Sequence, residues 1–475
     1  MRKLVLSTAL SLALAALSAT AATPSSTYGD YYANLPVDVK PVKAFALPDR
    51  STNIRDFGGI GDGVTLNTSS FQTAIDQLSA AGGGRIVVPQ GVWLTGPIEL
   101  KSNINLHLER GAVLYFSPDK ELYLDPDPKA SRVLACIRAE RAENISITGE
   151  GTIDGNGAQW RPVKRSKVSD TEWSRFKKMG GIERQNGSLW YPWQLKSGYA
   201  DIAATPEKQE KKRNDIFRVH HCENILLSGV TFQNAPKFHV HPFNSRNIII
   251  DGITVRCPWN AQNGDAIDLS DCHQALVVNS IVDAGDDGIC MKSGERKNKA
   301  LVNGCEDILI QDNTVYHAHG GFVIGSEDIC GMNRIVVRDC YFSGTDTGLR
   351  FKSGVGRGGK TSDIYIYDIV MTDIVNEAVT FQCDYADRPA GSKESDIVKP
   401  VEAVNVPEFA DIRISDVTCR GCATAISASG LEGFNSVHDI SISDCTFVYT
   451  KTATAIDSAT AEVTLKNVRL VKDRK

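Results

Sequence analysis

Four short blocks carry the residue types that can do chemistry: Asn263-Gly264-Asp265, Gly285-Asp286-Asp287-Gly288, His319-Gly320-Gly321 and Arg350-Phe351-Lys352. Carboxylates a few ångströms apart raise the pKa of at least one of their number. One group then keeps a proton and acts as an acid, while the others stay ionised and activate water. An acid on one side of a bond and a base on the other is what hydrolysis of a glycosidic linkage requires. Arg350 adds a bidentate fork suited to a carboxylate, and Lys352 adds a second positive charge. Each block has a plainer reading when taken alone. Asp-Asp-Gly is common in turns, clustered aspartates can hold calcium, His319 can serve a turn, and Arg350 and Lys352 can be solvated surface charges. His239-Val240-His241 has no evident third ligand, so no metal site is expected there.

The blocks work together only if the chain stacks them, and a repeat does so. From about residue 140 a polar residue, an alternating apolar strand and a short Asp/Asn/Gly turn recur. The strands begin Glu143-Asn144-Ile145, Glu223-Asn224-Ile225, Asn247-Ile248, Gln274-Ala275, Asp307-Ile308, Asn333-Arg334-Ile335, Asp363-Ile364, Asp411-Ile412 and Asp439-Ile440. Most starts lie about 24 to 32 residues apart, a solenoid period. The segments alternate with period two and are rich in Ile and Val, so they are strands, and no amphipathic helix recurs between them. The expected class is all-β: a right-handed parallel β-helix (solenoid) with a short N-terminal capping helix. The cap is expected at Ser69–Ala81, with Phe71, Ala74, Ile75 and Leu78 on one face, and it ends at Gly82-Gly83-Gly84.

The turns can then be aligned by the strands that follow them: Ile267-Asp268-Leu269-Ser270, Ile289-Cys290-Met291-Lys292, Phe322-Val323-Ile324-Gly325 and Leu349-Arg350-Phe351-Lys352. Asp265 and Asp287 fall in one column, and Asp286 and His319 in the next. Arg350 shares the column of Cys290, and Lys352 that of Lys292. Coils repeat at about 4.8 Å, so the cluster spans roughly 15 Å of one face.

Arg2 and Lys3 precede an apolar run from Leu4 to Leu17 and the small residues Ala19-Thr20-Ala21, the order of a secretory signal peptide. The expected division is a signal peptide at 1–21, an N-terminal extension at 22–52 and a catalytic β-helix at 53–475, with an insertion at about 160–215. An exported, periplasmic or extracellular protein without a membrane span is expected. The net charge of -5 argues against nucleic acid as a partner. Most of the 12 cysteines lie singly in strand-like segments, as small core residues would. Cys419 and Cys422 lack the second pair or histidines of a metal motif. The insertion carries Trp160, Trp173, Trp190 and Trp193 and many cations, among them Lys164, Arg165, Lys167, Lys211, Lys212 and Arg213. It is either a self-packed loop or a surface for an acidic ligand.

The four blocks, in this order, and the opening run Asn53-Ile54-Arg55-Asp56-Phe57-Gly58-Gly59-Ile60-Gly61-Asp62-Gly63 resemble the polygalacturonase family of glycoside hydrolases, family 28, across nearly all the mature chain. The resemblance implies that Asp286 protonates the leaving oxygen and that Asp265 and Asp287 hold and deprotonate water. It also implies that His319 tunes the acid, and that Arg350 and Lys352 bind a galacturonate carboxylate with anomeric inversion. Lys292 and Asn263 complete the expected substrate-binding set. The implied partner is homogalacturonan or pectin, acted on by a monomer without metal or cofactor. Three positions depart from the pattern: Gly264 for threonine, Ala266 for glycine and Phe351 for isoleucine. Rhamnogalacturonan hydrolysis, pectate lyase chemistry and a non-enzymatic carbohydrate-binding solenoid are the alternatives. Exo action is favoured, because the insertion can wall off one end of a cleft.

Overall fold

The computed structural model describes residues 28–127, 132–184, 186–192, 212–294, 296–297, 300–301, 304–385 and 405–473. The expected signal peptide, Trp193 and Lys211 lie outside the described residues. Within them, 31 strands join one continuous parallel sheet system. The chain coils through three faces, and each strand pairs with its counterpart one coil on. One face runs Glu143–Gly149, Glu223–Ser228, Arg246–Asp251, His273–Val278, Cys305–Gln311 and Met332–Ser343, all in parallel register. These are the expected repeat strands, and the parallel β-helix is observed.

The polar residue that opens each repeat takes a left-handed backbone conformation, as at Asn144 (φ 56), Asn224 (φ 60) and Asn247 (φ 54). Asparagine tolerates that region and carries an amide that both donates and accepts. Its Nδ2 reaches the Oδ1 one coil down, at 2.7 Å from Asn224 to Asn144 and 2.6 Å from Asn247 to Asn224. The ladder fixes the register of the coils.

Inward side chains fill one core along the axis. Ile267, Leu269, Ile289, Met291, Phe322, Ile324, Leu349 and Phe351 are all at most 1% exposed. Phe351 stacks on Phe381 with ring centroids 4.4 Å apart and meets Phe322 edge-on at 6.3 Å. Because its chain neighbours are Arg350 and Lys352, this stack aims both cations outward. Phe351→Ala is expected to cost about 3–5 kcal/mol, measured by denaturant unfolding, with a matching fall in activity as the two cations lose their seat.

The N-terminal end is capped by the helix Thr68–Ala80, one residue earlier than expected, with Phe71, Ala74, Ile75 and Leu78 buried. Ahead of it, residues 28–43 run across the outside of the repeat face. Val39 and Val42 are buried there against Ile249, Leu276, Leu309 and Val336. The Lys43 N–H donates to Asn247 Oδ1 (2.7 Å), and the Tyr28 hydroxyl donates to Asp251 Oδ2 (3.0 Å). All 12 cysteines are free thiols, and all but Cys330 are buried. Among the described residues no helix is long and apolar enough to cross a membrane.

Candidate active site

A second face supplies the floor of a groove. Its strands Val240–Phe243, Ile267–Ser270, Ile289–Ser293, Phe322–Asp328 and Leu349–Lys352 are stacked in the register read from sequence: Ile267 on Ile289 on Phe322 on Leu349, and Cys290 on Val323 on Arg350. Alternate residues point out of this face, so Asp268, Ser270, Lys292, Arg350 and Lys352 share it with His241. The turns just before these strands bring in Asp265, Asp286, Asp287 and His319. Their stacking is direct, since the His319 N–H donates to the Asp286 carbonyl at 2.8 Å. The turns pack too tightly for a side chain at Gly288, where a Cβ would lie 2.9 Å from the Gly320 carbonyl oxygen. Gly264, too, lies against Cys257 and Ala261.

The result is a cavity of about 930 Å³ lined by every one of the eight expected site residues. Asp265 and Asp287 are 3% and 2% exposed. Each leaves one buried oxygen, Oδ1, without a hydrogen-bond partner among the described residues. Asp287 Oδ2 accepts from Lys352 Nζ at 2.8 Å, and Arg350 stands 3.7 Å from its Oδ1. Lys352 is thus buried and bound to a carboxylate, whereas Arg350 is more open and lies over the ring of Tyr385 at 5.8 Å. Asp286 Oδ1 meets His319 Nδ1 at 2.8 Å, and its Oδ2 accepts the Asn263 N–H at 3.1 Å. The Asn263 side chain is engaged elsewhere: its Oδ1 accepts from Arg213 at 2.8 Å. Lys292 lies 3.4 Å from Asp268, 3.7 Å from Asp265 and 3.7 Å from Glu327.

These surroundings separate the carboxyl groups. Burial raises Asp265 well above the usual carboxylate range, reinforced by Asp268 and then Asp286. Burial likewise lifts Asp268 to about 6, against the pull of Lys292. Burial would raise Asp286 as well. The His319 hydrogen bond, the charge of that ring when protonated, and then Lys352 and Lys292 outweigh it and hold Asp286 well below that range. These directions give Asp265 the higher affinity for a proton and Asp286 the lower in the substrate-free site. Asp286, Asp287 and His319 offer atoms within 4.8 Å of one another, a spacing a metal ion can use. Lys352 and Lys167 already serve those atoms, which disfavours a second cation there.

Several groups escaped the sequence reading. Asp268 sits three coils below Arg350 in the same column, so the alignment carried the signal. Glu327 follows a break in its strand's register and Tyr385 lies three residues past the strand Glu377–Gln382, so neither gave one. His239 and His241 have fully engaged rings: His239 with the Ala235 N–H (3.2 Å) and the Asp265 carbonyl (2.8 Å), His241 with Asp215 and Ser270, each at 3.0 Å.

The insertion reaches the groove. Its described part is a small antiparallel sheet of Val163–Lys164, Ile182–Arg184 and Leu189–Tyr191 and a helix Asp170–Lys178 with a Ser169/Glu172 capping box. Val163, Trp173 and Trp190 form its own core, so the self-packed reading is correct for these aromatics. Buried Arg161 pins one end to the Ala235 carbonyl and Asn234 Oδ1, and buried Arg213 pins the other to the carbonyls of Pro236 and Gln262. Between these anchors Lys164 lines the cavity, and Lys167 Nζ lies 3.0 Å from His319 Nε2.

Residues 186–408, which hold all four blocks, match the family model described as glycosyl hydrolases family 28. A probable polygalacturonase of Vitis vinifera is 31% identical over 344 residues, 69% of this chain and 62% of the relative. An exo-poly-alpha-D-galacturonosidase of Dickeya chrysanthemi is 27% identical over 352 residues, 70% of this chain and 57% of the relative. The chain thus spans about six tenths of the length of these curated relatives. The crystal structure of a hyperthermoactive exopolygalacturonase from Thermotoga maritima superposes with a TM-score of 0.71 at 28% identity, covering 91% of this chain and 94% of the other. Taken with the four stacked blocks and the coiled architecture that carries them, these likenesses place residues 186–408 of the chain in glycosyl hydrolases family 28.

Proposed function

We propose that the protein hydrolyses α-1,4 linkages of galacturonic acid in homogalacturonan, from a chain end and with anomeric inversion. One observation carries this reading: Asp265 and Asp286, with opposite shifts in proton affinity, share a single groove with Asp287, Arg350, Lys352 and Lys292. Acid–base hydrolysis needs the first feature, and an acidic sugar is matched by the second. Asp286 is the proton donor. Asp265 and Asp287 hold the water, and their unengaged Oδ1 atoms suit that task. Arg350, the more open cation, meets the substrate carboxylate first, with Lys352 and Lys292 adding charge behind it. Asn263 serves through its backbone N–H to Asp286. An anionic sugar placed beside these lysines offsets the charge that depresses Asp286. Substrate binding itself thereby moves the proton onto the acid.

The insertion at about 160–215 supports end-wise action, since Lys164 lines the groove and the small sheet stands beside it. Residues 1–21 are read as an export signal, 22–52 as an extension and 53–475 as the catalytic unit, acting in the periplasm or outside the cell as a monomer. No metal, cofactor or nucleic acid enters the scheme. A time course of polygalacturonic acid digestion, with products resolved by chain length, tests it. Monomer or dimer is expected from the outset, with the β-anomer formed first by NMR. Long oligomers early in digestion would exclude end-wise action. Release of reducing ends from rhamnogalacturonan alone would shift the substrate.

A further inference from the structure

We propose that Lys167 is a positioning residue for this hydrolysis: its ammonium donates to His319 Nε2 and holds the imidazole neutral, with its one proton on Nδ1 and aimed at Asp286. The insertion thus completes the catalytic machinery as well as bordering the groove. The kinetic part of the inference rests on the activity proposed above; the geometric part does not.

An ammonium has donors only, so a ring nitrogen 3.0 Å from Lys167 Nζ must offer its lone pair. Nδ1 then bears the ring proton and donates it to Asp286 Oδ1 at 2.8 Å. The charged and titratable groups facing the ring are Asp286, Asp287, Asp346 and Lys167. Asp346 Oδ2 stands 3.8 Å from Nε2 and would favour an imidazolium. Lys167 is nearer and opposes it. Free lysine and histidine differ in basicity by about four units, so the proton between them belongs to the lysine. Burial lowers the Lys167 pKa, while Asp286 raises it and Lys164 lowers it. The chain around the lysine is fastened locally. Lys167 ends the turn Arg165–Lys167, and Arg165 Nη1 donates to the Val168 carbonyl at 2.8 Å as the chain enters the capped helix. The consequence for chemistry is direct. An imidazolium at His319 would grip Asp286 as a carboxylate and prevent it from holding the acid proton, whereas a neutral ring orients the acid and leaves it free to protonate.

The test has two readouts. In the free protein at neutral pH, 15N NMR of labelled histidines, with His319 assigned through His319→Gln, should show a neutral ring with its proton on Nδ1. In Lys167→Met, which removes the donor to Nε2, the Nε2–H tautomer should appear. Lys167→Gln keeps a neutral donor to Nε2, so the Nδ1–H tautomer should persist. An Nε2–H or doubly protonated ring in the wild type, or the same tautomer in Lys167→Met as in the wild type, would overturn the proposal whatever the substrate. On polygalacturonic acid, the acid limb of the kcat profile should move up by about one pH unit in Lys167→Met. kcat at the optimum should fall about tenfold with KM nearly unchanged, and Lys167→Arg should restore both. A large rise in KM with an unmoved kcat profile would mean that Lys167 grips the substrate instead, and the proposal would be wrong.

Discussion

Asp286→Asn should lower kcat on polygalacturonic acid by about three orders of magnitude, within the range a positioned general acid contributes. The amide has the same shape and keeps one oxygen to accept from His319 or from the Asn263 N–H, which lie 2.8 and 3.1 Å from the carboxylate now. It cannot release a proton to a leaving oxygen. KM should change little, because Arg350 and Lys352 are untouched, and circular dichroism should match the wild type. Steady-state kinetics on a defined oligogalacturonate separates the two constants. The control is Asp265→Asn. In the free site Asp265 is the carboxyl driven upward by burial and by Asp268 and Asp286. If Asp265→Asn abolished proton donation while Asp286→Asn did not, the acid would be Asp265, and the substrate would not redistribute the proton.

Lys352→Met should cost both fold and function. Lys352 is 5% exposed and Asp287 2%, and removing one partner of a buried pair leaves the other charge uncompensated, a loss of about 3–5 kcal/mol. Arg350, 3.7 Å from Asp287, recovers part of it. The double variant Lys352→Met/Asp287→Asn should regain most of the stability and none of the activity, which separates the structural cost from the catalytic one. The pH dependence follows from the sign of the shift. Burial opposes the charge on Lys352, but Asp287 prevails and raises its pKa above 10.5. The stabilisation is therefore complete below 10.5 and fades only as pH climbs through the still higher folded value. The gap between wild type and Lys352→Met should stay constant from about pH 7 to about pH 9 in denaturant unfolding. A gap that closed over that interval would mean that Lys352 is not charged in the fold.

The coil alignment was legible because the repeat is one-dimensional: each turn sits over the next at the strand spacing. Aligning four short strands therefore placed Asp265 with Asp287 and Asp286 with His319. Irregular chain offers no such rule. Nothing in Arg165-Ser166-Lys167 says that its lysine meets His319, 152 positions on, and Tyr385 reaches the cations from three residues past the strand Glu377–Gln382, where the column rule no longer applies. Sequence also assigned Lys352 to the substrate without showing its bond to Asp287. Column membership gives which residues meet, while burial decides which pairs close upon each other. The same limit applies to Asn263, whose position was readable but whose amide oxygen is turned to Arg213.

The segment at 28–43 has a consequence for how the molecule comes apart and how it is made. In a solenoid whose coils touch only their neighbours, the ends can fray independently of the middle. This segment ties Asn247 and Asp251 on one coil, Asp307 on a second and Arg338 on a third to one stretch of backbone. Fraying of any of those coils must strip part of the segment as well, so the stack is coupled into one cooperative unit rather than a row of separable ones. Synthesis sets the reverse order. The segment emerges first, but its seat is complete only when residue 338 has been laid down, so it is the earliest part made and among the last to dock.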